Sequence, residues 1–270
     1  MLKCLAVINI VNKPDELPAD EQDLYIAAGV PDPEATLNAL CDKGLIYKKG
    51  SNNCYVFKTR ATSELKTEIK KRMKLKGAKT NYNQVLSWVS DTHYVLPKRY
   101  NMEFSMTRYF PYEYMSVEEF LAINDLNVVL ENKSVCDGKV LALYSMEDGD
   151  FTEEIYAKIA ECQSKRVVVI YSKRVLTLQD KMLEYEVLQE IKTDTLFFAS
   201  EENKVLLKEI PIIEDDLYRE IFSYIDNAFE VEDESVFFYI SEGDVKQISN
   251  TKISDVVDMV CYQVYPKTLS

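Results

Sequence analysis

KVLALYSMEDGDFTEEIYAKIAECQSKRVVVIYS, residues 139–172, decides the fold class. KVLALYS is a short apolar run, and RVVVIYSK is a continuous one rich in β-branched residues. Both are strands by length and composition, and DFTEEIYAKIAEC between them is a helix that opens on acidic residues. LQDKMLEYEVLQEI follows as a longer helix. Strand, helix, strand, helix at this spacing predicts a βαβ unit with a parallel sheet. Further on, NKVLLKEI and EDDLYREIFSYIDNAF are predicted helices broken by Pro211, and VFFYISEGDVKQI is a hairpin turning at Glu242-Gly243. The last helix, ISDVVDMVCYQVY, aligns Ile253, Val256, Val257, Val260, Cys261 and Val264 on one stripe.

Upstream the pattern differs. LKCLAVINIV is apolar nearly all round and predicts a buried helix. ADEQDLYIAAGV and PDPEATLNALCDKG are two more helices, with Gly29 and Gly44 placed as terminators. LIYKK, the turn GSNN and CYVFK then alternate as a hairpin. Three helices and a hairpin are the element order of a winged helix, whose wing tip here carries Lys48, Lys49 and Asn52. Its third helix is acidic to neutral, whereas readers of the major groove bring Arg, Lys, Asn or Gln. A packing or regulatory module is the better expectation.

Between these regions, TSELKTEIKKRMKLK is an amphipathic helix with Leu65, Ile69 and Met73 on one face and lysines on the other. Gly77 closes it, and NYNQVLSWVSDTHYV is a second helix. YVLPKRYNMEFSMTRYF, residues 94–110, is expected to be extended or irregular at both ends because of Pro97 and Pro111. MSVEEFLAIN starts another helix. The fold class is therefore mixed, α+β with an α/β part: a winged-helix domain over 1–60, a basic helical and aromatic connector over 61–129, and an α/β domain over 130–270.

The chain carries a net charge of −13, yet residues 42–110 hold 15 basic and 5 acidic side chains against 17 and 40 elsewhere. So sharp a boundary predicts either a basic surface for an acidic partner or a basic face packed on the chain's own acidic half. No apolar run approaches the roughly 20 residues of a membrane helix. The start resembles a signal peptide without its cleavage site, and a buried helix is the preferred reading. Cys4, Cys41, Cys54, Cys136, Cys162 and Cys261 are scattered without paired spacing, which argues against zinc and for thiols in a reducing compartment, the cytoplasm.

Catalytic patterns are incomplete. GLIYKKGS, residues 44–51, lacks the glycine spacing and following lysine of a phosphate loop. No carboxylate directly follows either strand of 139–172, so that unit reads as scaffold. Ser90, Asp91 and His93 are too close in sequence for a triad. Glu153-Glu154, Glu201-Glu202 and Asp215-Asp216 sit at helix starts, where they complement the dipole. No catalytic, metal or cofactor residue is assigned, and no cofactor is expected.

Leu96–Asn101 and Thr107–Phe110 resemble a segment of large bacterial P-loop ATPases of BREX phage-exclusion systems, the BrxC/PglY-like group. LKCLAVINIV, CYVFKTRATSELKTEIKKRM and ISDVVDMVCYQVYPKT are similar to flanking parts of the same group. The resemblance implies an internal piece that follows the ATPase core and is not itself an enzyme. Its implied partners are that core or other defence proteins, with DNA as the alternative. Lys48, Lys49, Lys98, Arg99, Tyr100, Arg108 and Tyr109 are the candidate contacts. In one reading their cations meet phosphates and their rings meet bases. In the preferred reading they form a structural seam, because Val95, Leu96, Met102, Phe104 and Met106 are interleaved among them. An enzyme of unassigned chemistry is the third class.

Overall fold

In the computed structural model, residues 139–172 form strands β5 (Lys139–Tyr144) and β6 (Val167–Ser172), joined by helix α8 (Thr152–Ala160). The strands are parallel, in register from Lys139 opposite Val167 to Leu143 opposite Tyr171. Every residue of both strands is buried, which is why neither run alternates. The structure describes residues 1–11, 17–43, 45–48, 54–57, 60–77, 80–127, 136–230 and 235–266. It divides into two compact units, Met1–Thr80 with Asp180–Glu220, and Asn81–Gln179 with Ile221–Ser270.

The second unit is built on a six-stranded mixed sheet. Its strands are β3 (Tyr94–Val95), β4 (Phe110–Ser116), β5, β6, β7 (Ser235–Ser241) and β8 (Asp244–Ser249), in that spatial order. β4, β5 and β6 are parallel, while β3, β7 and β8 run antiparallel to their neighbours. Leu141, Leu143, Val169, Tyr171 and Phe238 bury one face with Phe120 and Ile155 of α7 (Val117–Ala122) and α8. α12 (Ile253–Val264) packs on β6 and β7, burying Val256, Val257, Val260 and Cys261 as the stripe predicts. The β7–β8 turn is formed by Glu242 (φ 56°) and Gly243 (φ 91°), the left-handed pair a tight hairpin requires.

Two readings need correction in this unit. YFPYEYMS carries no expected strand, yet it forms β4, inside the sheet between β3 and β5. Proline discourages strand pairing, but Pro111 is the second residue of β4 and its parallel pairing with β5 starts only at Tyr112. NYNQVLSWVSDTHYV is a helix only over Tyr82–Val89 (α5); Ser90 leaves the helix and Tyr94 begins β3. Both ends of residues 94–110 are extended as expected, in β3 and at the start of β4, and the short helix α6 (Lys98–Glu103) lies between them.

The first unit opens with helices α1 (Leu2–Val11), α2 (Glu21–Ala28) and α3 (Pro33–Asp42), then the antiparallel strands β1 (Ile46–Lys48) and β2 (Tyr55–Phe57). Asp20 and Asp32 cap α2 and α3 through Asp23 N–H and Ala35 N–H. Leu5, Leu24, Leu37, Ile46 and Tyr55 form its core. The expectation that α1 is buried all round fails: only Leu5 and Ile8 are buried, while Ile10 is 82% exposed. The helix packs against α2 and β2 on one side only. Gly44 and the wing turn, with Lys49 and Asn52, lie outside the described residues.

The same unit contains α4 (Arg60–Lys76), α9 (Gln179–Thr193), α10 (Glu201–Lys204) and the main part of α11 (Ile210–Ile225). Leu65 and Ile69 of α4 are buried and Met73 is half-buried. Pro211 does not break a helix. It sits in the first turn of α11, where its missing N–H costs nothing, and the interruption falls at Lys208–Glu209.

Candidate functional site

A six-residue helix such as α6 does not persist in isolation. Its N-terminus follows Pro97 and has no side-chain cap of its own. Asp258 of α12 supplies one: Tyr100 N–H donates to Oδ1 at 3.1 Å and Arg99 N–H to Oδ2 at 3.3 Å. Asp258 is buried, and the two amides give both of its carboxyl oxygens a hydrogen-bond donor. The loop after α6 is closed by Asn101. Its Nδ2 donates to the Arg108 carbonyl and its Oδ1 accepts from Arg108 N–H, both at 2.9 Å.

Two of the sequence-predicted residues lie at the centre of this arrangement. Tyr100 is fully buried, its hydroxyl donates to the Tyr265 carbonyl at 2.9 Å, and its ring stacks with Phe104 and Tyr262. The Arg108 guanidinium pairs with Asp137 and lies 3.6 Å from the centre of the Tyr265 ring. Burial opposes its charge, but the bonds to Asp137 and Tyr100 outweigh that and raise its pKa. Asp137 also accepts from Tyr109 N–H at 3.1 Å, and Tyr265 donates its hydroxyl to the Asp137 carbonyl at 2.8 Å. A bidentate-capable cation over an aromatic face, closed by a carboxylate, fixes geometry strongly.

The remaining predicted residues divide. Arg99 reaches Asp255 at 3.1 Å, but its side chain is 74% exposed, so that pair is weak. Tyr109 is partly exposed and meets Tyr94 edge-on at 6.5 Å. Lys98 is exposed and makes no ion pair among the described residues. Of the interleaved apolar residues, Val95 is buried and Leu96, Phe104 and Met106 are half-buried, whereas Met102 is exposed. Lys48, in the other unit, pairs with Glu21 at 3.0 Å and lies over the Tyr55 ring. Lys49 lies outside the described residues.

In the first unit the lysine-rich helix is answered from within. Arg72 of α4 bonds Glu68 at 2.9 Å and Asp194 at 2.8 Å, and Lys76 pairs with Glu186 at 2.9 Å and with Glu190. The Arg72 bond holds Glu68 below the usual carboxylate range. Asp194 is lowered as well, first by the Phe197 N–H and then by Arg72. Lys66 lies over the Tyr47 ring at 4.9 Å. The acidic partners at 186–194 come from the acidic part of the sequence, so opposite charges distant in the chain meet in one unit.

Sequence reasoning missed Asp137, Asp255 and Asp258. The one available signal was an acid at 258 beside the apolar stripe of α12. Ser90 accepts from the Tyr114 hydroxyl at 2.9 Å rather than bonding His93. Among the described residues, no group of three or more His, Cys, Asp or Glu side chains is arranged to hold a metal. None of the six cysteines forms a disulfide, and no helix among the described residues is long and apolar enough to cross a membrane. Comparison with family models, curated proteins and solved structures found no match.

Proposed function

We propose that this chain is a non-catalytic assembly segment. The carrying observation is that Arg108 and Tyr100 are committed to Asp137, Tyr265 and Asp258 inside their own unit. A surface evolved to read nucleic acid keeps its cations free to meet phosphates. Here the basic aromatic segment acts as a seam between α6, α12 and the start of β5. The helix, helix, helix, strand, strand order of the first unit supports a winged helix used for packing, with an acidic third helix. Taken with the resemblance of Leu96–Asn101 and Thr107–Phe110, the segment belongs to a BrxC/PglY-like defence ATPase. It passes nucleotide state from the ATPase core to partner proteins.

One observation favours a second reading, a nucleic-acid surface: Lys98, Tyr94 and Tyr109 remain exposed. Fluorescence anisotropy with a labelled duplex, at about 50 and 200 mM salt, separates the two. The assembly reading expects negligible duplex binding at both, and co-migration with a BrxC/PglY-like ATPase core that differs between ATP and ADP. Duplex binding that collapses by orders of magnitude across that salt range would replace it with the second reading.

A further inference from the structure

A cleft of about 380 Å³ opens beside the start of α12. Thr92, Tyr94, Lys98, Ser235, Lys252 and Ser254 line it. Apolar side chains such as Leu96 and Phe229 line it as well, so its chemistry is mixed, with two cations and several hydroxyls. Neither Lys98 nor Lys252 has an ion-pair partner among the described residues, and the nearby carboxylates are already engaged: Asp255 by Arg99, Asp258 by the amides that open α6. α12 begins at Lys252 with no side-chain cap bond, and among the described residues the N–H groups of Ile253 and Ser254 have no partner. Both residues line the same cleft.

Ser235 adds an independent sign of a ligand. It is 2% exposed and lines the cleft, yet its hydroxyl has no hydrogen-bond partner among the described residues. Other buried serines of this unit are satisfied: Ser90 by Tyr114, Ser116 by Glu119 N–H, Ser172 by Arg174 N–H. The hydroxyl oxygen is not among the fully enclosed unpartnered atoms of the described residues, which keeps it within reach of a group bound in the cleft. Ser235 also starts β7 directly opposite Ser172, the last residue of β6.

We propose that this cleft binds the phosphate group of a small phosphate monoester. The Lys98 and Lys252 ammonium groups offset a dianion, and the Ile253 and Ser254 amides with the Ser235 hydroxyl donate to its oxygens. The exposed ring of Tyr94 offers a flat face to the organic part. The volume suits a small ligand rather than a polymer.

Isothermal titration calorimetry of the whole chain in phosphate-free buffer tests this, with AMP, inorganic phosphate and a DNA duplex as separate titrants. AMP binding is expected, tighter than inorganic phosphate, and stronger at pH 7.5 than at pH 5.5 because the second phosphate pKa is about 6. Lys252→Ala and Ser235→Ala are each expected to weaken AMP by about tenfold, one charged or buried hydrogen bond's worth. Ser235→Ala should leave the melting temperature of the unliganded chain unchanged, since its hydroxyl bonds nothing among the described residues; a merely structural serine would lower it. No heat with AMP up to about 10 mM, well beyond a useful affinity, would overturn the proposal. So would undiminished binding by Ser235→Ala, inorganic phosphate matching AMP, or binding confined to the duplex.

Discussion

Arg108→Ala is the substitution that tests the seam most directly. The Arg108 and Asp137 side chains are only 17% and 19% exposed, so solvent screens the pair little. Removing one partner of a shielded ion pair costs about 3–5 kcal/mol, because the other charge is left behind. Asp137 keeps the Tyr109 N–H at 3.1 Å, which places that loss at the lower end. Loss of the guanidinium 3.6 Å from the Tyr265 ring adds about 1 kcal/mol. The expected total is about 4 kcal/mol. With a urea slope of about 2 kcal/mol per molar, the unfolding midpoint falls by about 2 M. Trp88 is the chain's only tryptophan and belongs to the same unit as Arg108, so its fluorescence reports the relevant transition. Arg99→Ala is the matched control: its side chain is 74% exposed and its pair with Asp255 is expected to contribute under about 0.5 kcal/mol. If the two variants shift the midpoint equally, or Arg108→Ala moves it by less than about 0.3 M, the seam argument is wrong.

Two further outcomes follow from the packing and the charges. A Cβ on Gly138 would overlap the Phe110 ring and the Arg166 carbonyl oxygen, and a backbone oxygen in a paired strand region has little room to retreat. Gly138→Ala should therefore cost about 3 kcal/mol in the same urea titration, and unchanged stability would refute the close approach of those backbones. Glu68 and Asp194 both have folded-state pKa values below their ordinary ones, so the stability they contribute is present at neutral pH and lost as pH falls through the acidic range below about 4.5. Arg72→Met should lower the melting temperature of the first unit by roughly 3–5 °C at pH 7 and flatten its dependence below pH 5. Circular-dichroism melts from pH 7 to pH 3 that run parallel for the two proteins would contradict that assignment.

The parts of this fold legible in the sequence are those whose burial is symmetrical or whose turns demand special residues. β5 and β6 are apolar on both faces, and the Glu242-Gly243 turn announces its hairpin. β4 was hidden because Pro111 masks an alternation, Phe110, Tyr112, Tyr114, Ser116, whose members are all buried. α1 misled in the opposite sense: an apolar sequence states what a helix is able to bury, while the neighbours decide what it does bury. For the site, the basic and aromatic cluster was visible as composition. Its meaning was not, because the carboxylates that answer it come from far along the chain: Asp258 lies 158 residues after Tyr100, and Asp137 lies 28 after Tyr109. The cleft had no sequence signature, since Ser235 and Lys252 belong to no motif.

The first unit is not contiguous: Met1–Thr80 is completed by Asp180–Glu220. During synthesis, the lysine-rich helix α4 therefore leaves the ribosome well before Glu186, Glu190 and Asp194 exist to neutralise it. Until then Leu65 and Ile69 also await the later helices of their unit, and closing that long loop is entropically slow. The nascent chain thus passes through a stage at which it is locally cationic and apolar together, the combination that invites non-native pairing with nucleic acid or with other chains. Any division of this protein into pieces between residues 80 and 180 would make that passing stage permanent.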